Sequence, residues 1–212
     1  MIYSMNAEPF IVELEDVLSK DFCRHLITKF ENSKQEHTPG HTSEGLNLNI
    51  KKGTDLWMAN FKENWQKEIL KFNKIVRDVL QSYNDHVGDE TGVSFHTLFT
   101  DSKVSYPQIQ KTGENEYYNW HSDGEPSKNT RVLTLLFYLN DVDEKQGGAT
   151  EFIHGKRLVQ PKTGKVVIFP ATWSYMHRGQ AVKYGEKYVI AMFVYEPSLT
   201  IIMPEMLPFS VQ

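Results

Sequence analysis

The sequence predicts an α+β protein, mainly β, on three observations. Helical periodicity is confined to the first 92 residues, where apolar residues recur at steps of three and four. From residue 93 onward come short segments rich in β-branched and aromatic residues, bounded by Gly, Pro, Asn or Asp. No helical pattern separates those segments, which argues against a parallel βαβ sheet and for an antiparallel sandwich or barrel. The expectation is one domain over 1–212, with 1–92 as mostly helical support and a lid loop, and 93–212 as the β core.

The first helix is expected to start near Ser19, a residue suited to capping orphan N–H groups, and to bury Phe22, Cys23, Leu26, Ile27 and Phe30. A polar stretch follows, "KQEHTPGHTSEGLNLNIKKGTD", which reads as a long loop with one short strand; residues 37–55 are its lid candidate. The second helix shows Phe61, Trp65, Ile69, Phe72, Val76, Val79 and Tyr83 on one stripe, with Asn60 and Glu63 spaced as a capping box. Such an aromatic stripe is ordinarily core packing. The strand candidates are "GVSFHTLF", "KVSYPQIQK", "RVLTLLFYLND", "GKVVIFP" and "EKYVIAMFVYE", and "DEKQGGATEF" is a turn in which Gly147 and Gly148 supply backbone freedom.

Composition narrows the function classes. The chain has 212 residues, a net charge of −4, 40% hydrophobic and 24% charged residues, the balance of a soluble globular domain. That charge gives no reason to expect nucleic acid, and no apolar run approaches the roughly 20 residues a membrane span needs. The N-terminal stretch lacks the pattern of a secretory signal, and Cys23 as the only cysteine excludes an intrachain disulfide, so a cytoplasmic location is expected. Cys23 itself reads as a buried helix residue. Gly-x-Ser-x-Gly, His-Glu-x-x-His and phosphate-cradling Gly-rich motifs are missing.

What remains is "NWHSDGE", residues 119–125. On a regular strand, His121 and Asp123 would share a face and reach one ion. A second histidine from another strand would complete two nitrogens and one carboxylate, a set with open positions that suits non-haem Fe(II) and O2. His177, in "ATWSYMHRGQAV", is the candidate, although a lone strand histidine is more often a satisfied structural residue. Lys187 shifts the balance: it enters a strand that is apolar on both faces, so it either snorkels at an edge or meets a buried anion. It should share a face with Val189, Ala191 and Phe193. His25, His37, His41, His86, His96 and His154 have no ligand-like spacing.

The ordered series "WHSD", "RVLTLLFYLND", "GGATEF", "GKVVIFP", "MHRGQAV" and "GEKYVIAMF" resembles the iron(II)- and 2-oxoglutarate-dependent oxygenases, in their prolyl 4-hydroxylase-like branch. The resemblance covers about residues 104 to 195. It implies a double-stranded β-helix (jelly-roll) core with the N-terminal helices packed against its major sheet. It implies metal ligands at His121, Asp123 and His177, and Lys187 as the partner of the distal carboxylate of 2-oxoglutarate. Tyr138 and Thr150 both match residues that bind this carboxylate in different relatives, and the sequence leaves that choice open. Thr112 stands where the family commonly has a tyrosine. Tyr118 and Arg131 match residues that touch substrate in prolyl hydroxylases, although period two opposes Arg131 sharing a face with Tyr138 unless the strand starts late or bulges. Trp120 and Trp173, with Tyr117 and Tyr118, would either wall a peptide groove or cover the barrel core.

The implied activity is hydroxylation of an unactivated C–H bond, foremost of peptidyl proline, using Fe(II), O2 and 2-oxoglutarate, with ascorbate as a candidate further cofactor and succinate and CO2 as co-products. The expected partner is a peptide or protein substrate. Two alternatives stay open: the same chemistry on a free amino acid or another protein side chain, and a non-enzymatic, cupin-like metal-binding module.

Overall fold

The computed structural model describes residues 8–42, 45–93, 102–124, 131–153 and 156–196. The strand expected over "GVSFHTLF" falls largely outside them, as do His96 and His154. Among the described residues, two helices and thirteen strands build three layers.

Helix α1, Lys20–Asn32, begins as expected, with the Ser19 side chain accepting the Phe22 N–H. Its buried face is Phe22, Cys23, Leu26 and Phe30. Cys23 is fully buried, and burial pushes its thiol up to about 11, so it is inert. Helix α2, Lys62–Thr91, buries Trp65, Ile69, Phe72, Val76, Val79 and Tyr83 along the expected stripe. The Asn60–Glu63 capping box does not form. A 3-10 turn over Met58–Phe61 takes up Asn60, Phe61 occupies the cap position, and no side chain caps the helix there.

The larger sheet has eight strands, in the order β1 (Val12–Leu14), β11 (Val166–Pro170), β8 (Arg131–Tyr138), β13 (Lys187–Tyr195), β6 (Gln108–Thr112), β4 (Thr54–Trp57) and β2 (Thr38–Pro39), with β5 (Lys103–Val104) also on β13. The smaller has five, in the order β10 (Leu158–Val159), β9 (Thr150–Phe152), β12 (His177–Gly179), β7 (Tyr117–His121) and β3 (Lys51–Lys52). All named strand pairs are antiparallel, so this is the double-stranded β-helix arrangement, with helices on the larger sheet. Among the described residues, no helix is long and apolar enough to cross a membrane.

Strand period two sorts the side chains between the layers. Leu133, Leu135, Phe137, Ile190, Met192 and Val194 pack with Phe72, Trp65 and the rest of the helix stripes. The alternate residues, including Tyr138, Val189, Val167 and Phe169, face the smaller sheet and meet Phe152. The segment expected as a loop with one strand contributes three, β2, β3 and β4, which join both sheets. Residues 37–55 are therefore anchored at 38–39, 51–52 and 54–55. β1 also enters the larger sheet, so residue 92 marks no boundary between the layers.

Candidate active site

The candidate site lies between the sheets. Its walls include Lys187, Val189, Ala191 and Phe193 from β13, the face expected from alternation, together with Thr150, His177, Tyr118 and His121 from the smaller sheet. His121 and Asp123 do not share a regular strand. His121 is the last residue of β7, and Asp123 lies in the turn beyond it, where the Gly124 N–H donates to the Ala171 carbonyl. An added Cβ at Gly124 would sit 2.9 Å from the Arg131 carbonyl and 3.0 Å from that of Ala171. A glycine there lets the turn close and brings Asp123 to the ion side.

His121 Nε2 lies 3.6 Å from Asp123 Oδ1, and His177 Nε2 lies 3.5 Å from Asp123 Oδ2. One ligand atom from each residue falls within 4.8 Å of the others. Donors bound at about 2.1 Å from a common ion are separated by roughly 3–3.5 Å at right or tetrahedral angles, so the spacing fits a metal. Among the described residues this is the one His/Cys/Asp/Glu group with such spacing. The second nitrogens are already engaged: His121 Nδ1 is 2.7 Å from the Asn119 carbonyl and His177 Nδ1 is 3.2 Å from that of Tyr175. Donation to those carbonyls places the proton on Nδ1 and leaves both Nε2 lone pairs for an ion.

The electrostatics agree. Burial, and after it the neighbouring His121, pushes the His177 imidazole down to about 4, so it is neutral near pH 7. Burial alone would raise the Asp123 carboxyl, but the imidazoles of His177 and His121 beside it and the hydrogen bond from Thr134 outweigh it and hold the group well below the usual range. Thr134 Oγ1 donates to Asp123 Oδ2 at 2.7 Å. That threonine is the polar interruption in the apolar run "RVLTLLFY", and the interruption is its only mark in the sequence.

Lys187 is 6% exposed, and its Nζ donates to the Gly148 carbonyl at 2.7 Å. Burial pushes the ammonium down to about 8, and among the described residues no carboxylate lies within ion-pair distance. The Gly147–Gly148 turn has φ of 76° and 68°, the left-handed freedom its sequence suggested. Thr150 lines the pocket, and Tyr138 stands behind it, fully buried, with its hydroxyl 2.8 Å from Thr150 Oγ1. Thr112 pairs with Lys187 in the sheet register and also reaches the pocket.

Two bulges decide which neighbours face the site. In β8 the register with β13 slips between Val194 and Tyr195, pairing Tyr195 with Arg131, so Arg131 turns to the pocket side. Its guanidinium lies over Phe193, 3.8 Å from the ring centroid, and donates to the Asp123 carbonyl at 3.2 Å. In β7 the pairing slips between the His121 and Tyr118 partners, which brings Tyr118 onto the His121 side. Their rings stack with centroids 3.5 Å apart and 8° between planes. Trp120 points the other way, 36% exposed over Arg178, and Trp173 is 73% exposed. Neither covers the barrel core. Gln110 and Gln180 also line the pocket; nothing in their sequence spacing singles them out.

Two histidines and one carboxylate with positions left open, enclosed by the sheets of a jelly roll, form a donor set that suits non-haem iron. Residues 107–195 match the model of the 2OG-Fe(II) oxygenase superfamily, and this segment carries the metal set and Lys187. The human 2-oxoglutarate and iron-dependent oxygenase domain-containing protein 3 is 23% identical over 125 residues, 56% of this chain and 39% of its own length. The match thus spans well under half of that relative. The viral collagen prolyl hydroxylase of Paramecium bursaria Chlorella virus-1, solved with 2OG, aligns with a TM-score of 0.62 and 21% identity, covering 89% of this chain and 97% of that one. A prolyl hydroxylase of Trichoplax adhaerens, solved with a hypoxia inducible factor oxygen degradation domain peptide fragment, gives 0.67 and 15%, covering 91% and 88%. At these identities the two structures share the fold.

Proposed function

We propose that the chain is an Fe(II)- and 2-oxoglutarate-dependent dioxygenase that hydroxylates an unactivated C–H bond of a peptide, with peptidyl proline as the substrate group. The observation that carries this reading is the meeting, in one pocket, of a three-point metal set and a buried ammonium with no carboxylate partner among the described residues. Bound Fe(II), O2 and 2-oxoglutarate supply the oxidation, with succinate and CO2 released. The chain's own residues bind, orient and shield.

His121 Nε2, His177 Nε2 and Asp123 hold the ion. Two neutral imidazoles and one carboxylate leave a divalent ion with one net positive charge, which favours a dianionic cosubstrate. Lys187 Nζ takes the distal carboxylate. With Tyr138 donating to Thr150 Oγ1, the threonine keeps its own proton to offer the same carboxylate, so Thr150 makes the contact and Tyr138 supports it. Leu136, Val189 and Ala191 wall the pocket and keep bulk water out. Tyr118, stacked on His121, and Arg131, bonded to the Asp123 carbonyl, flank the metal set and are assigned to substrate contact. The peptide held by the Trichoplax neighbour supports a peptide substrate here.

The test is succinate formation by the purified protein supplied with Fe(II), ascorbate and 2-oxoglutarate. Asp123→Ala and His177→Ala should abolish it; near wild-type turnover in His177→Ala would overturn the ligand assignment. A peptide library screened for the gain of one oxygen atom tests proline. Oxygen gained only by a free amino acid or another side chain would keep the chemistry and change the substrate. Metal binding without any succinate would leave a cupin-like binding module.

A further inference from the structure

Behind Tyr118 lies a buried ion pair that the reading above does not use. Lys51 of β3 and Asp55 of β4 are 4% and 1% exposed, with Nζ 2.6 Å from Oδ2. They come from different sheets, so the pair bridges the sandwich at the edge where β3 and β4 lie. Asp55 Oδ2 also accepts from Gln108 Nε2 at 3.0 Å and from the His41 N–H at 3.3 Å, while Oδ1 has no partner among the described residues. The Lys51 stem runs past Gly40, where an added Cβ would stand 3.1 Å from Cε. The ammonium then sits over the Tyr118 ring, 5.1 Å from its centroid, and that ring also stacks on His121.

A buried ion pair with an unsatisfied carboxylate oxygen is a weak source of stability, since desolvation offsets much of its attraction. It is an effective source of geometry. Lys51 is pinned at its tip by Asp55 and along its stem by Gly40, so it closes the space into which the Tyr118 ring would swing. The ring in turn restricts rotation of the His121 imidazole about its last torsion, which the single Nδ1 contact to the Asn119 carbonyl does not fully define.

We propose that the Lys51–Asp55 pair is a positioning element for the metal centre, clamping Tyr118 against His121 so that Nε2 is held toward the ion before the ion arrives. This rests on His121 being a metal ligand, as the proposed function has it. Lys51, Asp55 and Tyr118 act through His121 and touch neither ion nor cosubstrate in this role. The chain segment expected as a lid thereby connects directly to the metal centre.

The test uses the whole chain, Mn(II) titrated by calorimetry, and the electronic absorption of the Co(II) form. Lys51→Met, which keeps the stem and removes the charge, should weaken Mn(II) binding about tenfold, the low end for outer-shell changes at metal sites. Tyr118→Leu should do the same, and the double variant should be little worse than either single one. Tyr118→Phe and Lys51→Arg should stay near wild type. The Co(II) ligand-field bands should change in Lys51→Met and Tyr118→Leu, a signature that a purely structural role would not move. Unchanged Mn(II) affinity and Co(II) bands in both variants would overturn the proposal. If Lys51→Met does not fold, Tyr118→Leu against Tyr118→Phe decides it. Failure of the wild-type chain to bind Mn(II) would instead defeat the proposed function.

Discussion

A lysine ammonium held among apolar walls with one carbonyl partner is costly to keep charged, which is why Lys187 is pushed down to about 8. Its position fits a site waiting for an anion. When a carboxylate arrives, the pair forms in a low dielectric and the ammonium becomes easier to keep protonated. Removing the amine should therefore act on cosubstrate binding and leave the metal set intact. Lys187→Ala is expected to raise the 2-oxoglutarate concentration for half-maximal succinate formation by about thirtyfold or more, on the scale of losing one partner of a buried charge pair. Mn(II) affinity should be nearly unchanged. A variant with wild-type 2-oxoglutarate dependence would remove Lys187 from the cosubstrate site.

At the scale of elements, alternation and interruption do different jobs. The regular pleat of β13 assigns Ile190, Met192 and Val194 to the helices and Lys187, Val189 and Ala191 to the pocket, and this was legible because a long apolar strand leaves one reading. The bulges that turn Arg131 and Tyr118 inward were not legible, because a bulge exists only relative to a partner strand. Nor were β2, β3 and β4, at two to four residues each and largely polar, since such segments carry no period to detect. The Asn60–Glu63 spacing looked like a helix start, yet tertiary packing placed a 3-10 turn there. His121, Asp123, His177 and Lys187 stood out because their chemistry is rare among their neighbours; Lys51 and Asp55 did not, in a polar loop full of such residues. The helix-facing side of the larger sheet carries its own prediction. Phe137 is fully buried and meets Phe72 of α2 edge-on at 5.4 Å between centroids. Phe137→Ala should cost about 3–5 kcal/mol in urea unfolding, with the slope unchanged. A loss below about 1 kcal/mol would mean that α2 does not seat on the sheet through this contact.

Across the whole molecule the two sheets are fastened at both edges by charge. On one side Lys51 of the smaller sheet meets Asp55 of the larger. On the other, Glu13 of β1 accepts from Lys165 at 2.9 Å and from Arg157, which directly precedes β10, also at 2.9 Å. Helices cover one face of the larger sheet and the pocket needs space on the other, so the sandwich cannot rely on a continuous apolar core between its layers. Edge pairs supply part of the registration. Burial alone would raise the Glu13 carboxyl, but the hydrogen bonds and charges of Lys165 and Arg157 outweigh it and hold it below its ordinary value of 4.5. A depressed folded value means that the unfolded chain takes up the proton first as pH falls. The contribution of Glu13 is therefore complete above about pH 4.5 and disappears as pH drops through the lower, folded value. Glu13→Gln should reduce unfolding free energy by about 1 kcal/mol at pH 7, the scale of a partly exposed network pair. That deficit should shrink steadily below about pH 4.5, until variant and wild type unfold at the same urea concentration. A deficit that stays constant down to the acid transition would show that the glutamate contributes through packing alone, and the edge would then be held by the β1–β11 ladder without its charge.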